Sequence, residues 1–402
     1  MNPYIDLLKT PGIARIISAQ LTARLPSGML SLAILLHVEQ IHNSYAAAGL
    51  VLAATSVGQA VAGPLTSRWM GVWGMRKVLI LTLVISASAI FTIALAPLSV
   101  GLFMIVGLIS GLSTPPVQPA VRTIYPKMVN SKQLTPLFSL DASAQEIIWV
   151  AGPVAATFIA VQISTTLAIV VAGSFLILGG AWFISSPEVG QVRIPRSKRS
   201  FGAVLRHRPV VLATITGFLL VGSASAVEVS VVAVFGHGGP QAGIVLGIWA
   251  IGSLVGGLSF GHLPIGPWAL ARRMLIVFVG MALAMVYLDF WWLAIMLLVA
   301  GIGIAPAFAV IFAIVSASVK FSETAEAYGW VGTGQLIGAA LGSAVAGFLI
   351  DANGPIGGFW VAAVIAALGV LVPTVLRSWH PDLRGKDPSP IPDTEPISTL
   401  GQ

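Results

Sequence analysis

Apolar residues do not alternate with polar ones along this chain. They come in long runs separated by short stretches carrying Gly, Pro, Asn or charge. Six runs are read in the first half, near 13–37, 46–67, 78–96, 100–124, 138–161 and 166–185. Six more follow near 209–234, 242–262, 273–290, 292–315, 327–350 and 357–376. At about 1.5 Å of rise per helical residue, such a run can cross a hydrocarbon layer of ~30 Å. Backbone groups in lipid must be satisfied within the segment, and no two-residue period is visible, so the runs predict helices. The expected fold class is an all-α membrane protein with twelve transmembrane helices in two pseudo-symmetric six-helix bundles. The bundles are expected over 1–190 and 209–377, joined by a basic linker at 191–208. A Pro-, Asp- and Ser-rich tail, 378–402, is expected to be disordered.

Charge placement supports the even count. The chain holds 21 Lys and Arg residues, and all but Arg24 fall on segments that share one side if the N-terminus is cytoplasmic. The intervening segments, such as Val38–Tyr45 and Asp351–Ile356, hold none. This is the positive-inside pattern of a protein with both termini in the cytoplasm, in the cell membrane. Composition agrees, with 56% apolar residues, 9% charged residues and a mean hydropathy of +0.94 over 402 residues. The absence of cysteine excludes disulfides and thiol catalysis. The net charge of +7 is spread over loops instead of one face, which argues against nucleic acid. The first apolar run is too long for a cleavable leader. The stretch Pro187–Pro209 reads as a solvated topology determinant, or else as a docking site for lipid or a partner.

The chain also repeats itself. A shift of 194 aligns Gly49, Gly58 and Gly63 with Gly243, Gly252 and Gly257; a shift of 190 aligns Gly111, Pro116, Gln145 and Gly152 with Gly301, Pro306, Gln335 and Gly342. Two six-span repeats in the same orientation imply a pseudo-twofold axis along the membrane normal and a cavity between them at mid-membrane. The loop after the second span, Gly63-Pro64-Leu65-Thr66-Ser67-Arg68 with Gly74, Arg76 and Lys77, resembles the first cytoplasmic loop motif of the major facilitator superfamily, with Ser67 in place of the usual acid. Gly152-Pro153 in span five resembles the core of that family's antiporter motif, with Ala155 and Ala156 replacing its glycine pair. Arg24-Leu25-Pro26, Asp141, Gln145-Glu146 and Glu228-Val229 are similar to twelve-span drug/proton exporters of actinobacterial type. The resemblance covers the whole chain and implies alternating access. It assigns Gly63, Ser67, Arg68, Arg76, Lys77, Arg122, Gly152 and Pro153 to gating motifs.

Ionisable side chains inside apolar spans cost roughly 2.5–3.5 kcal/mol each, so they need partners or water. Arg24 and Glu146 sit at similar depths in spans one and five, ~16 and ~12 Å from the inner end at the helical rise, which makes a buried pair feasible. Asp141 and Arg122 form a second candidate pair near the inner end, with ordinary solvated ends as the alternative. Glu146, Asp141 and Glu228 are the candidate proton-coupling residues, since a buried carboxyl that gains and loses a cationic partner can switch protonation. The candidate substrate cavity comprises Arg24, Gln20, Gln59, Gln145, Trp149, Phe308, Trp330 and Gln335. His37, His42 and His237 are expected on an outer rim, and Pro115, Pro116, Pro119 and Pro306 are expected to interrupt spans four and ten.

No nucleotide-binding loop, dinucleotide fingerprint or metal-spaced His cluster occurs in the sequence. The expectation is therefore not an enzyme but a transporter without cofactor or metal, driven by an ion gradient and taken to be monomeric. Its partners are protons, the lipid bilayer and a small molecule. The primary expectation is proton-coupled efflux of a small amphipathic compound. The alternatives are uptake of a sugar or organic anion, with Arg24 as the anion clamp, and a non-transporting receptor or scaffold.

Overall fold

In the computed structural model, which describes residues 3–197, 199–235 and 241–393, the apolar runs fold as helices throughout. They are α1 Pro3–Lys9, α2 Ile13–His42, α3 Tyr45–Trp73, α4 Met75–Leu95, α5 Val100–Leu112, α6 Val117–Met128, α7 Ser131–Gln162 and α8 Thr165–Ser185. After α9 Pro187–Gln191 come α10 Arg208–Phe235, α11 Gln241–Phe260, α12 Ala269–Ala284, α13 Phe290–Ser318, α14 Phe321–Asn353 and α15 Pro355–Val375. Among the described residues eleven spans, with α5 and α6 taken together, are long and apolar enough to cross a membrane. The twelfth, α12, has 16 residues and spans about 24 Å. Turn chemistry sets the boundaries. Asn43 ends α2 in the left-handed region at φ 50°, and Ser44 caps α3 by accepting from Ala47 N at 3.1 Å.

Span four is interrupted at 113–116 as expected, where Pro115 and Pro116 lack the N–H groups that would continue α5. Four expectations are corrected. Span ten is not broken, since α13 runs on through Pro306. The ninth span starts four residues earlier than expected and stops at Ala284. The tail is ordered over 380–393: Leu383 N donates to Ile265 O, Phe321 N to Ile391 O and Ile391 N to Val319 O. Backbone hydrogen bonding offsets the polar composition there. His37 is also buried, bonded to Ile93 O at 3.1 Å, and His237 lies outside the described residues.

The sequence repeat is a repeat of helix crossings. A Cβ on Gly111 would lie 2.1 Å from Thr55 O, and one on Gly301 would lie 2.3 Å from Trp249 O. Glycine thus lets α5 meet α3, and α13 meet α11, backbone to backbone in both halves. The two halves touch mainly at one end, the end bearing the basic loops. There Thr333 Oγ1 donates to Ala60 O (2.7 Å), and Tyr4 and Ser139 hydroxyls both donate to Gly257 O (2.7 Å each). The face of α3 that meets α14 at Ala60 and Gly63 is exposed at Gly49, Ala53 and Ser56, and that of α7 at Val150 and Thr157. The halves therefore diverge toward the opposite end, leaving a cleft closed at the basic end.

Candidate functional site

The floor of the cleft is a polar network carried by α2, α6 and α7 at helical spacing. Gln20 and Arg24 are one turn apart on α2, Arg122 and Tyr125 share a face of α6, and Asp141 and Gln145 share a face of α7. Asp141 is the hub and is fully buried. Its Oδ1 accepts from Gln20 Nε2 (3.1 Å) and the Tyr125 hydroxyl (3.1 Å), and its Oδ2 accepts from Arg122 Nε (3.2 Å). Gln118, with its amide oxygen toward Arg122, accepts from both terminal guanidinium nitrogens at 2.6 and 2.7 Å. The Arg122 guanidinium also lies 3.4 Å from the centroid of Phe312 on the other half. Asp141 and Arg122 are thus a buried pair, not the solvated ends weighed as the alternative.

Arg24 is half-buried and pairs differently from expectation. Its Nη1 donates to Gln20 Oε1 (2.9 Å) and its Nη2 to Gln145 Oε1 (2.7 Å). Glu146 instead accepts from Ser253 Oγ of α11 at 2.8 Å, so the expected Arg24–Glu146 pair does not form. Neighbouring residues on a helix diverge by about 100°, so Gln145 faces α2 while Glu146 faces the other half. The network thus holds two guanidiniums and one carboxylate, and carries an excess positive charge. Glu228 is exposed on α10, in the other half from Glu146.

The remaining candidates scatter. Trp149 is 55% exposed on the inner side of α7, opposite the outward stripe of Ile147, Val154 and Phe158, and faces the cleft. Phe308 stacks on Phe312 (5.7 Å, 11°), above the aromatic plug of Phe138, Phe312 and Tyr328. Gln335 packs against Gly217 of α10 and Gln59 lies beside Gly111, both apart from the Asp141 network. Trp330 is not in the cleft; it sits at the basic end, 5.7 Å from the linker's Phe201. Gly152 packs on Gly28, where a Cβ would come within 2.7 Å of backbone, and half-buried Pro153 follows it on α7.

The basic end is closed by charge. Arg68 Nη1 donates to Glu326 Oε2 of α14 at 2.7 Å, and its Nη2 donates to Arg199 O of the linker at 2.5 Å. Glu326 Oε1 accepts from Gly202 N (2.7 Å), and Glu323 faces Arg199 (3.4 Å). Ser67 is buried and bonds back to Gly63 O, so the acid opposite Arg68 comes from the other half. Arg76 donates to Ile184 O (3.2 Å) and Ser186 O (3.3 Å), while Lys77 is exposed. Glu323, Glu326 and Tyr125 were missed from sequence. Two acids at the start of a span on the basic side, Glu323 in the first turn of α14 and Glu326 three residues on, were the available signal for the glutamates; Tyr125 offered none.

A family model described as Major Facilitator Superfamily matches residues 16–290 and 263–400. No curated protein sequence matches the chain. Among solved structures it is similar to the human organic anion transporter MFSD10 (TETRAN), at 15% identity and a TM-score of 0.69, covering 90% of this chain and 100% of that one. It is similar also to a bacterial homologue of the iron transporter ferroportin in an outward-facing state, at 13% identity and a TM-score of 0.71, covering 91% and 99%.

Proposed function

Because the chain belongs to the Major Facilitator Superfamily, a family of transporters and not of enzymes, we propose that it couples proton entry to efflux of a small amphipathic compound by alternating access. The observation that carries this reading is the Glu146–Ser253 hydrogen bond, which joins the halves at the bottom of the open cleft. To open the basic end, α7 and α11 must part and this bond must break. An ionised carboxylate accepts a charge-assisted bond about twice as strong as a neutral one, so protonation at Glu146 loosens the contact. Asp141, locked by donors from Gln20, Tyr125, Arg122 and Gln145, serves as scaffold, and proton exchange falls to Glu146 and Glu228. Trp149 and Phe308 supply apolar surface for a lipophilic body beside Arg24.

The test is pH-driven transport of a fluorescent amphipathic compound in proteoliposomes, wild type against Glu146→Gln. The variant should lose gradient-driven accumulation yet retain solute exchange at equal pH. Undiminished gradient-driven flux in the variant would remove Glu146 from coupling.

A second reading has its own observation. The excess guanidinium charge at Arg24 suits the anionic group of a substrate, so uptake or export of an organic anion is the competing specificity. Competition of fluorescent-compound flux by aromatic carboxylates, abolished in Arg24→Gln, would favour it.

A further inference from the structure

Away from the cleft, a cavity of about 570 Å³ opens at the basic end of the second half. It lies between the α11–α12 turn and the segment after α15, and Trp268, Arg272, Arg377, His380, Asp382 and Arg384 line it. Its volume is within the ~300–1,000 Å³ usual for small-ligand sites. The charges are not equivalent. Arg384 donates to Asp382 from Nε (2.9 Å) and Nη2 (2.6 Å), and these bonds hold the Asp382 carboxyl down to about 2. Arg272 and Arg377 have no carboxylate partner among the described residues, and the Arg377 guanidinium lies 5.0 Å from the Trp268 ring centroid. His380 is only 5% exposed; its Nδ1 donates to Pro381 O (2.7 Å), leaving Nε2 without a partner. The pocket therefore has two uncommitted guanidiniums and an orphaned ring nitrogen.

What lies above the pocket selects the ligand. Arg272 starts the outward stripe of α12 that continues through exposed Leu275, Val279 and Leu283. On α15, exposed Leu368, Leu371 and Val375 run down to Arg377. These helices pack together, so two apolar stripes converge on one cationic cavity. A soluble anion leaves those stripes unused, whereas a phospholipid occupies both. We propose that this cavity binds the headgroup of an anionic phospholipid, its phosphate between Arg272 and Arg377 and its acyl chains along α12 and α15. Guanidinium matches phosphate in forked geometry, and basic pockets between spans on the positive side are suited to such headgroups.

The test uses the full-length protein in detergent, titrated separately with phosphatidylglycerol, phosphatidylcholine and inorganic phosphate, with bound lipid read by native mass spectrometry and thermal stability. Phosphatidylglycerol should bind selectively and raise the melting temperature, and inorganic phosphate at equal concentration should not. Arg272→Gln/Arg377→Gln should weaken that binding roughly thirtyfold, or about 2 kcal/mol at 1.4 kcal/mol per decade. Lys386→Gln, a nearby exposed basic residue outside the pocket, should leave it unchanged. The proposal is overturned if phosphatidylcholine binds equally well, if inorganic phosphate gives the full stabilisation, or if Lys386→Gln costs as much as the arginine pair. The first two comparisons need only the wild type, so they decide even if the double variant misfolds.

Discussion

Asp141 and Glu146 show how differently two carboxylates on one helix can be used. Asp141 is held by Gln20, Tyr125 and Arg122, and Arg122 is pressed on Phe312. Removing one member of a buried pair leaves an uncompensated charge, so Asp141→Asn should destabilise the protein by about 3–5 kcal/mol. Adding Arg122→Met should recover much of that loss in detergent thermal unfolding; a double variant less stable than either single one would contradict the assignment. Arg24 and Glu146 have separate partners, Gln20 and Gln145 for one and Ser253 for the other. Their stability effects should add to within about 0.5 kcal/mol, and a coupling above 1 kcal/mol would mean that they meet after all.

Helices of this fold cross where side chains are missing. At the basic end Gly329 of α14 faces Gly63 of α3, and a Cβ there would lie 2.6 Å from Gly63 O and 2.7 Å from Pro64 Cα. Both obstacles are backbone, so neither can swing aside. Gly329→Val should hold α3 and α14 apart at the basic end while each half keeps its own packing. The chain has no cysteine, which makes a single introduced thiol a clean reporter. Ser67 is 1% exposed, so maleimide labelling of Ser67→Cys should rise severalfold when Gly329→Val is added. Unaltered labelling would show that this crossing does not close the gate.

Across the whole molecule, the closed end rests on a few polar contacts over the aromatic plug. Arg68 is 23% exposed and its partner Glu326 3%, so solvent screens the pair in part. A contribution of about 1 kcal/mol, roughly fivefold in population, is the reasonable scale. Arg68→Ala should shift electron-spin distance distributions between labels at the exposed positions Lys77 and His262 toward the longer, opened form. A distribution identical to that of the unsubstituted protein would mean the plug alone carries closure. Closure at the basic end is the geometry the proposed proton step must reverse.

The amino-acid pattern alone determined the helical spans, their doubling and the polarity of the basic loops. Each follows from local chemistry: lipid forbids unpaired backbone, and glycines recurring at a fixed offset, such as Gly111 and Gly301, mark equivalent crossings. It also singled out Gln20, Arg24, Arg122, Asp141 and Gln145, which the fold joins in one hydrogen-bonded network, because polar groups in apolar spans are costly and few. Only the tertiary structure decided who partners whom. Depth along a helix follows from counting residues, but azimuth relative to a neighbouring helix depends on how both are packed. That single missing angle turned Glu146 from Arg24 to Ser253, placed Trp330 under the linker, and put the acid facing Arg68 on α14, some 258 residues away in the chain.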